Sequence, residues 1–195
     1  MKTEILDEPL QRFHEKINSF VYVPDEEFER LAVLMRPRKY KKGEVILREG
    51  DVCRHFYFIV KGYIRSFCIE DGNETNVNFY FENDIASDFR SLRLETPSER
   101  WLIAMENCNV YCAAKSEYSP VFEESAKLKE FLMRFFHDLY LKEEEDANHF
   151  RLFSPEERYK HILSSKPQFL QRIAQQHLAS FLGISRKTLG RIRKG

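Results

Sequence analysis

Apolar residues return at intervals of three and four near the start of the chain. Leu10, Phe13, Ile17 and Phe20 line one face of a helix. Pro24-Asp25-Glu26-Glu27 restarts a helical pattern that carries Phe28, Leu31, Leu34 and Met35 on one side, and Pro37 is expected to end it. From Arg38 to about Lys115 the period changes. Short β-rich runs (Val45 to Leu47, Phe56 to Val60, Tyr63 to Phe67) are separated by Lys42-Gly43, Glu49-Gly50-Asp51 and Lys61-Gly62. Asp71-Gly72-Asn73 is a strong hairpin signal, and Trp101 to Ala113 reads as a further strand region. Many short strands at close spacing predict an antiparallel roll.

A long helical pattern follows from about Glu117 to Ala147. Leu128, Leu132, Phe135 and Leu139 form a stripe, with Phe131 and Phe136 beside it. A helix of ~30 residues spans about 45 Å, longer than a compact module of this size needs. The stripe is therefore expected to serve as a coiled-coil-like dimer seam, an ordinary core helix being the alternative. Glu143-Glu144-Glu145-Asp146 reads as a solvated end. Ser154-Pro155-Glu156-Glu157 then caps a new helix, which Ser164-Ser165-Lys166-Pro167 breaks.

Charge sharpens this picture. The 195 residues sum to a formal net charge of zero, yet the stretch from Lys160 onward holds eight Lys or Arg and no Asp or Glu. Within it, Gln176 to Lys194 reads as two short helices joined by a tight turn, the second one basic. Ala179 is small where two helices must cross, Gly183 sits at the turn, and Ser185 can cap the second helix. Leu178, Leu182, Leu189 and Ile192 supply a shared apolar face. Arg186, Lys187, Thr188 and Arg191 then project from the other side, the pattern of a helix-turn-helix that enters a DNA major groove. Arg186 and Arg191 are assigned to base edges, and Thr188, Arg193 and Lys194 to phosphates, with Ser185 and Gln176 at the edge of the interface.

The remaining chemistry is sparse. Cys53, Cys68, Cys108 and Cys112 do not make a disulfide framework, and Met1-Lys2-Thr3-Glu4 does not open a secretory signal. No apolar run approaches a membrane span. A cytoplasmic protein with reduced thiols is expected. Cys108 and Cys112 fall in a strand, where four residues span about 13 Å, too far for both sulfurs to reach one metal. None of the six histidines stands at a ligand spacing from another, so no metal is expected. Phosphate loops, metalloprotease helices and nucleophile elbows are missing from the sequence, so it is not read as an enzyme.

Together these residues resemble the Crp–Fnr family of regulators. Lys42-Gly43, Val45 to Leu47, Glu49-Gly50-Asp51, Phe56 to Ile59, Gly62 and Arg65 are similar to the opening of that family's cyclic-nucleotide-binding-type roll. Ser185 to Arg191 is similar to its recognition helix. The resemblance implies an α+β fold: a β-roll with N-terminal helices over 1–116, a long dimerisation helix over 117–150, and a helix-turn-helix over 151–195, expected here without the wing that many members of the family carry. The implied dimer interface comprises Leu128, Phe131, Leu132, Phe135, Phe136 and Leu139. Double-stranded DNA, a second copy of the chain and RNA polymerase are the implied partners. Lys187 stands where catabolite-activator-like members carry a Glu that accepts from cytosine, so the operator should differ.

The nucleotide cassette departs from the family. Nucleotide-binding members offer a Gly-Glu pair, then Pro-Arg-Ser/Thr-Ala, whose Arg pairs with the cyclic phosphate. Here Ser87 and Asp88 replace Gly-Glu, Ser98 stands where Arg should be, and Glu99 adds an acidic neighbour. Arg100 would substitute only through a register shift, which on a strand changes face or moves the side chain by about 7 Å. Cyclic AMP is therefore not expected as effector. Ser87, Asp88, Arg90, Ser98, Arg100 and Trp101, with Arg93 nearby, remain the candidate lining for another small molecule. The competing functional reading is a ligand-binding signalling module whose C-terminal helices dock a protein.

Overall fold

The computed structural model describes residues 6–194, so the reading of Met1-Lys2-Thr3-Glu4 lies outside them. Two helices open the described chain, α1 Glu8–Asn18 and α2 Asp25–Ala32. Eight strands follow: β1 Arg36–Tyr40, β2 Val45–Leu47, β3 His55–Lys61, β4 Ile64–Glu70, β5 Asn73–Tyr80, β6 Ile85–Ala86, then, after the short helix α3 Phe89–Leu94, β7 Trp101–Ala104 and β8 Cys108–Ala114. The helices α4 Lys115–Glu124, α5 Ala126–Leu152, α6 Pro155–Ser165, α7 Pro167–Arg172, α8 Gln175–Phe181 and α9 Arg186–Ile192 complete the order. The strands form two four-stranded sheets, β1-β8-β3-β6 and β2-β7-β4-β5, the antiparallel roll that the spacing of the β-rich runs predicts. Among the described residues no helix is long and apolar enough to cross a membrane.

The chain divides into two compact units. One runs up to Ser66 and resumes over Phe79–His137, and the other joins Phe67–Asn78 to the residues from Asp138 onward. This division differs in two places from the three segments expected from sequence. The long helix is shared, and the tip of the β4–β5 hairpin belongs with the C-terminal helices.

The first unit has an aromatic core. Phe13, Phe28, Phe58, Ile59 and Leu102 are fully buried. The Phe13 ring lies 4.8 Å from Phe58 and 5.9 Å from Phe28. His14 stacks on Phe28 at 4.2 Å and is 2.7 Å from the Val23 carbonyl, so its Nε2 carries the proton. Cys108 and Cys112 are free and buried, and burial pushes both thiols up, as inert core thiols require.

Several expectations are corrected. Pro37 does not terminate a helix. The helix α2 already ends at Ala32, and Pro37 lies inside β1, opposite Tyr111. A proline is tolerated there because β1 is the edge of its sheet. The region from Trp101 to Ala113 is two strands in different sheets, β7 and β8.

The expected single helix from Glu117 is two helices. Ser125 is extended (φ −102°, ψ 118°), and its Oγ accepts from Leu128 N at 2.9 Å, capping α5. The same hydroxyl donates to Glu27 of α2, which fixes the break from outside the helix. The dimer stripe is also corrected in part. Leu128, Phe131 and Phe135 are buried within the protomer. Phe20 meets Phe131 and Phe135 edge-on at 5.7 and 5.8 Å, and Phe89 meets Phe135 at 5.4 Å. These three residues therefore pack the roll and not a second chain. Leu132, Phe136 and Leu139 are half-buried, and Met133, Tyr140, Leu141, Phe150 and Leu152 are exposed apolar positions of α5.

Gly62 makes a close approach between strands. At φ +87° its Cβ would stand 2.7 Å from Cys108 Sγ and 3.0 Å from the Asn107 carbonyl. Replacing Gly62 with Ala should lower stability in urea unfolding by about 1–3 kcal/mol. Gly43→Ala, with a similar φ of +84° and nothing within 4 Å, should cost less.

Candidate nucleic-acid interface

The second unit is built on local signals. Ser154 begins α6 with a reciprocal capping box: its Oγ accepts from Glu157 N, and the Glu157 carboxylate accepts from Ser154 N at 2.8 Å. The hydrogen bonds from Ser154 hold the Glu157 carboxyl below its ordinary range. The short helix α7, not anticipated from sequence, brings Phe169 onto Phe181 at 5.8 Å.

The turn between α8 and α9 is a complete Schellman motif. Gly183 is left-handed (φ +65°), its N–H donates to the Ser180 carbonyl, and the Ile184 N–H donates to the Ala179 carbonyl, both at 3.0 Å. Ser185 then N-caps α9, its Oγ accepting from Thr188 N at 3.1 Å. Leu178, Ala179, Leu182 and Leu189 are buried, Leu189 completely. Phe150, at the far end of α5, supports the turn: a Cβ on Gly183 would come within 3.2 Å of its ring. Arg158 stacks on the same ring, its guanidinium 4.8 Å from the Phe150 centroid.

This packing decides what α9 presents. Ser185, Arg186, Lys187, Arg191, Arg193, Lys194 and Gln176 are exposed, and Thr188 is half-buried. Among the described residues Arg186, Lys187, Arg191, Arg193 and Lys194 have no ion-pair partner. Thr188 Oγ1 is engaged with Ser185 Oγ at 2.9 Å. A shallow groove of about 240 Å³ lies between Glu156, Thr188, Arg191 and Ile192. Five cations on one capped helix and its C-terminal turn form a surface that favours phosphate.

Hydrogen bonds hold the tip of the β4–β5 hairpin against α8. Asn76 N donates to Ser180 Oγ at 3.0 Å, Ser180 Oγ donates to the Glu74 carbonyl at 2.9 Å, and Asn76 Nδ2 donates to the His177 carbonyl at 3.1 Å. The turn itself, Asp71-Gly72, has φ of 50° and 77°, the left-handed pair that a two-residue type I′ hairpin demands. Sequence reading found the turn and missed the contact, because nothing local marks Asn76 as a partner of α8.

The nucleotide cassette, in the first unit, is filled by its own side chains. Asp88 is buried and caps α3, its Oδ1 accepting from Arg90 N and Ser91 N at 3.2 Å each. Its Oδ2 accepts from buried Ser98 Oγ at 2.6 Å, and Ser98 Oγ accepts from Arg100 N at 3.0 Å. Ser87 turns elsewhere, donating to the His55 carbonyl and touching Cys53 Sγ. Arg90 points outward to Glu99 at 2.8 Å, and Trp101 Nε1 donates to Glu49 at 3.2 Å. Of the six candidate lining residues, Asp88, Ser98 and the Arg100 backbone converge. Arg90 and Trp101 are bonded to other partners.

Residues 37–125 match the family model of the cyclic nucleotide-binding domain. The c-di-GMP-responsive global regulator CLP of Xanthomonas campestris superposes with a TM-score of 0.65 at 19% identity, covering 88% of this chain and 90% of that one. The catabolite activator protein of Thermus thermophilus gives 0.58 at 20% identity over 95% and 85%. A CooA mutant from Carboxydothermus hydrogenoformans gives 0.69 at 15% identity over 98% and 85%. The chain has the Crp–Fnr fold. No curated protein matches the sequence.

Within the Crp–Fnr fold, Asp88 serves as a helix cap and as the acceptor for Ser98. Removing the Ser98 hydroxyl would take this hydrogen-bond partner from both Asp88 Oδ2 and Arg100 N. Ser98→Ala should therefore cost about 1.5–3 kcal/mol in denaturant unfolding, the range for a hydrogen bond to a charged group.

Proposed function

We propose that the protein is a non-enzymatic, DNA-binding transcription regulator of the Crp–Fnr type, acting as a homodimer. The observation that carries this reading is the capped α9, fixed by Gly183 and Leu189 with Arg186, Lys187 and Arg191 turned to solvent. Arg186 and Arg191 are suited to guanine O6 and N7, and Arg193 and Lys194 to phosphates. Thr188, already bonded to Ser185, is a weaker phosphate contact than its sequence position suggested.

A second copy is proposed to pair along α5. The apolar positions left exposed there include Met133 and Tyr140, one heptad apart, with Leu141 alongside. Two α9 helices held by such a dyad would read half-sites one DNA turn apart, ~34 Å.

Cyclic nucleotides are not proposed as effectors through the cassette. The place of the phosphate-pairing Arg holds Ser98, which is bonded to buried Asp88. A phosphate approaching that carboxyl would meet an acidic acceptor where several donors and a cation are needed. Titration calorimetry with cyclic AMP and cyclic GMP up to about 1 mM should show no saturable heat, whereas a dissociation constant near 1 μM would overturn this reading.

Selection from random duplex DNA should return a palindrome, with binding that weakens steeply as salt rises. Arg186→Ala should cost ~1–3 kcal/mol and relax preference at one position per half-site. Equal loss on every sequence would make Arg186 a phosphate anchor. Unchanged binding by the Arg186→Ala and Arg191→Ala variants would overturn the proposal and favour the protein-docking module.

A further inference from the structure

Along the sequence no histidine has a ligand-spaced neighbour, but the fold of the second unit pairs two of them. His149 of α5 and His161 of α6 face each other with ring centroids 4.1 Å apart and planes inclined by 36°. Glu145 stands one turn before His149 on the same helix, at the i, i+4 spacing that places both side chains on one face. One donor atom from each of Glu145, His149 and His161 lies within 4.8 Å of the other two.

We propose that Glu145, His149 and His161 bind one divalent transition-metal ion that joins the end of α5 to α6. The donor set gives the chemical class. Two imidazoles and one carboxylate suit Zn²⁺, Co²⁺ or Ni²⁺, whereas Ca²⁺ and Mg²⁺ take oxygen ligands. A second observation points the same way. His149 Nδ1 is buried and has no hydrogen-bond partner, an arrangement that a neutral imidazole in a hydrogen-bonded pair would avoid. The ring is also held in place, since Phe153 lies against it at 5.0 Å.

The geometry requires a modest closure. Donors around a tetrahedral ion with bonds of ~2.0–2.1 Å stand about 3.3 Å apart. Glu145 is exposed and its side chain is free to rotate inward, so the carboxylate is the arm that closes. Three protein ligands leave the fourth position to water. The ion would thus bridge two helices that otherwise meet here through ring stacking and the contacts of Arg158 with the Phe150 and Phe153 carbonyls. This inference is independent of the DNA-binding reading, since the ion is read out on the free protein.

The test is equilibrium dialysis of the untagged full chain against Zn²⁺, with Co²⁺ absorption as the spectroscopic reporter of imidazole and carboxylate ligation. One ion per chain is expected, undisplaced by excess Mg²⁺ or Ca²⁺. His149→Ala and His161→Ala should each weaken binding by about tenfold or more, and Glu145→Gln by less. Cys68→Ser, at a half-buried thiol outside the site, should leave it unchanged. Zn²⁺ should also raise the thermal midpoint of the native chain and not that of His161→Ala, with circular dichroism confirming that each variant is folded. If a histidine variant does not fold, the exposed Glu145→Gln and the Co²⁺ spectrum of the native chain carry the test. Unchanged affinity in every folded site variant, or a Co²⁺ spectrum dominated by thiolate charge transfer, would overturn the proposal.

Discussion

The first half of α5 is committed to the roll by aromatic packing. Leu128 is fully buried, Phe131 and Phe135 sit in contact with Phe20, Phe89 and Phe122, and ring pairs at 5–7 Å add about 0.5–1.5 kcal/mol each beyond the area they bury. That commitment sets what remains possible downstream. The second half of the helix is left to other partners, and Ser125 with Glu27 fixes where the helix starts. Leu128, Phe131 and Phe135 are therefore spent on the inside, while Leu132, Phe136 and Leu139 keep part of their surface outside.

The two ends of the protein treat charge in opposite ways. In the cassette, Asp88 is enclosed and its oxygens are consumed by Arg90 N, Ser91 N and Ser98. On α9, cations are held at the surface with no internal anion to neutralise them. An enclosed acid with its acceptor capacity filled is a structural element, while unpaired surface cations are available to a partner.

Local chemistry was legible in the sequence. The Asp71-Gly72 hairpin, the Ser154 capping box, the Gly183 turn and the Ser185 cap all depend on a few adjacent residues, and each stands where the sequence placed it. The exposure of the basic side chains of α9 was legible for the same reason, since the buried leucines of α8 and α9 leave the opposite face to them. Long-range facts were not legible. The break at Ser125 depends on Glu27, 98 residues away in sequence. Periodicity placed Phe131 and Phe135 on one face without saying whether a second chain or Phe20 would cover it. The strand region from Trp101 to Ala113 gave no sign that its two halves belong to different sheets. His149 and His161 are separated by a helix end and a cap, so only the i, i+4 relation of Glu145 to His149 was available to suggest them.

The hairpin tip meets α8 through hydrogen bonds that end on main-chain atoms: the Asn76 amide and the carbonyls of Glu74 and His177. Each of these bonds has a side-chain atom at its other end, Ser180 Oγ in two and Asn76 Nδ2 in one. The contact between the hairpin and the helix that braces α9 thus runs through two small polar side chains, and loss of the Ser180 hydroxyl alone would open two of these three bonds.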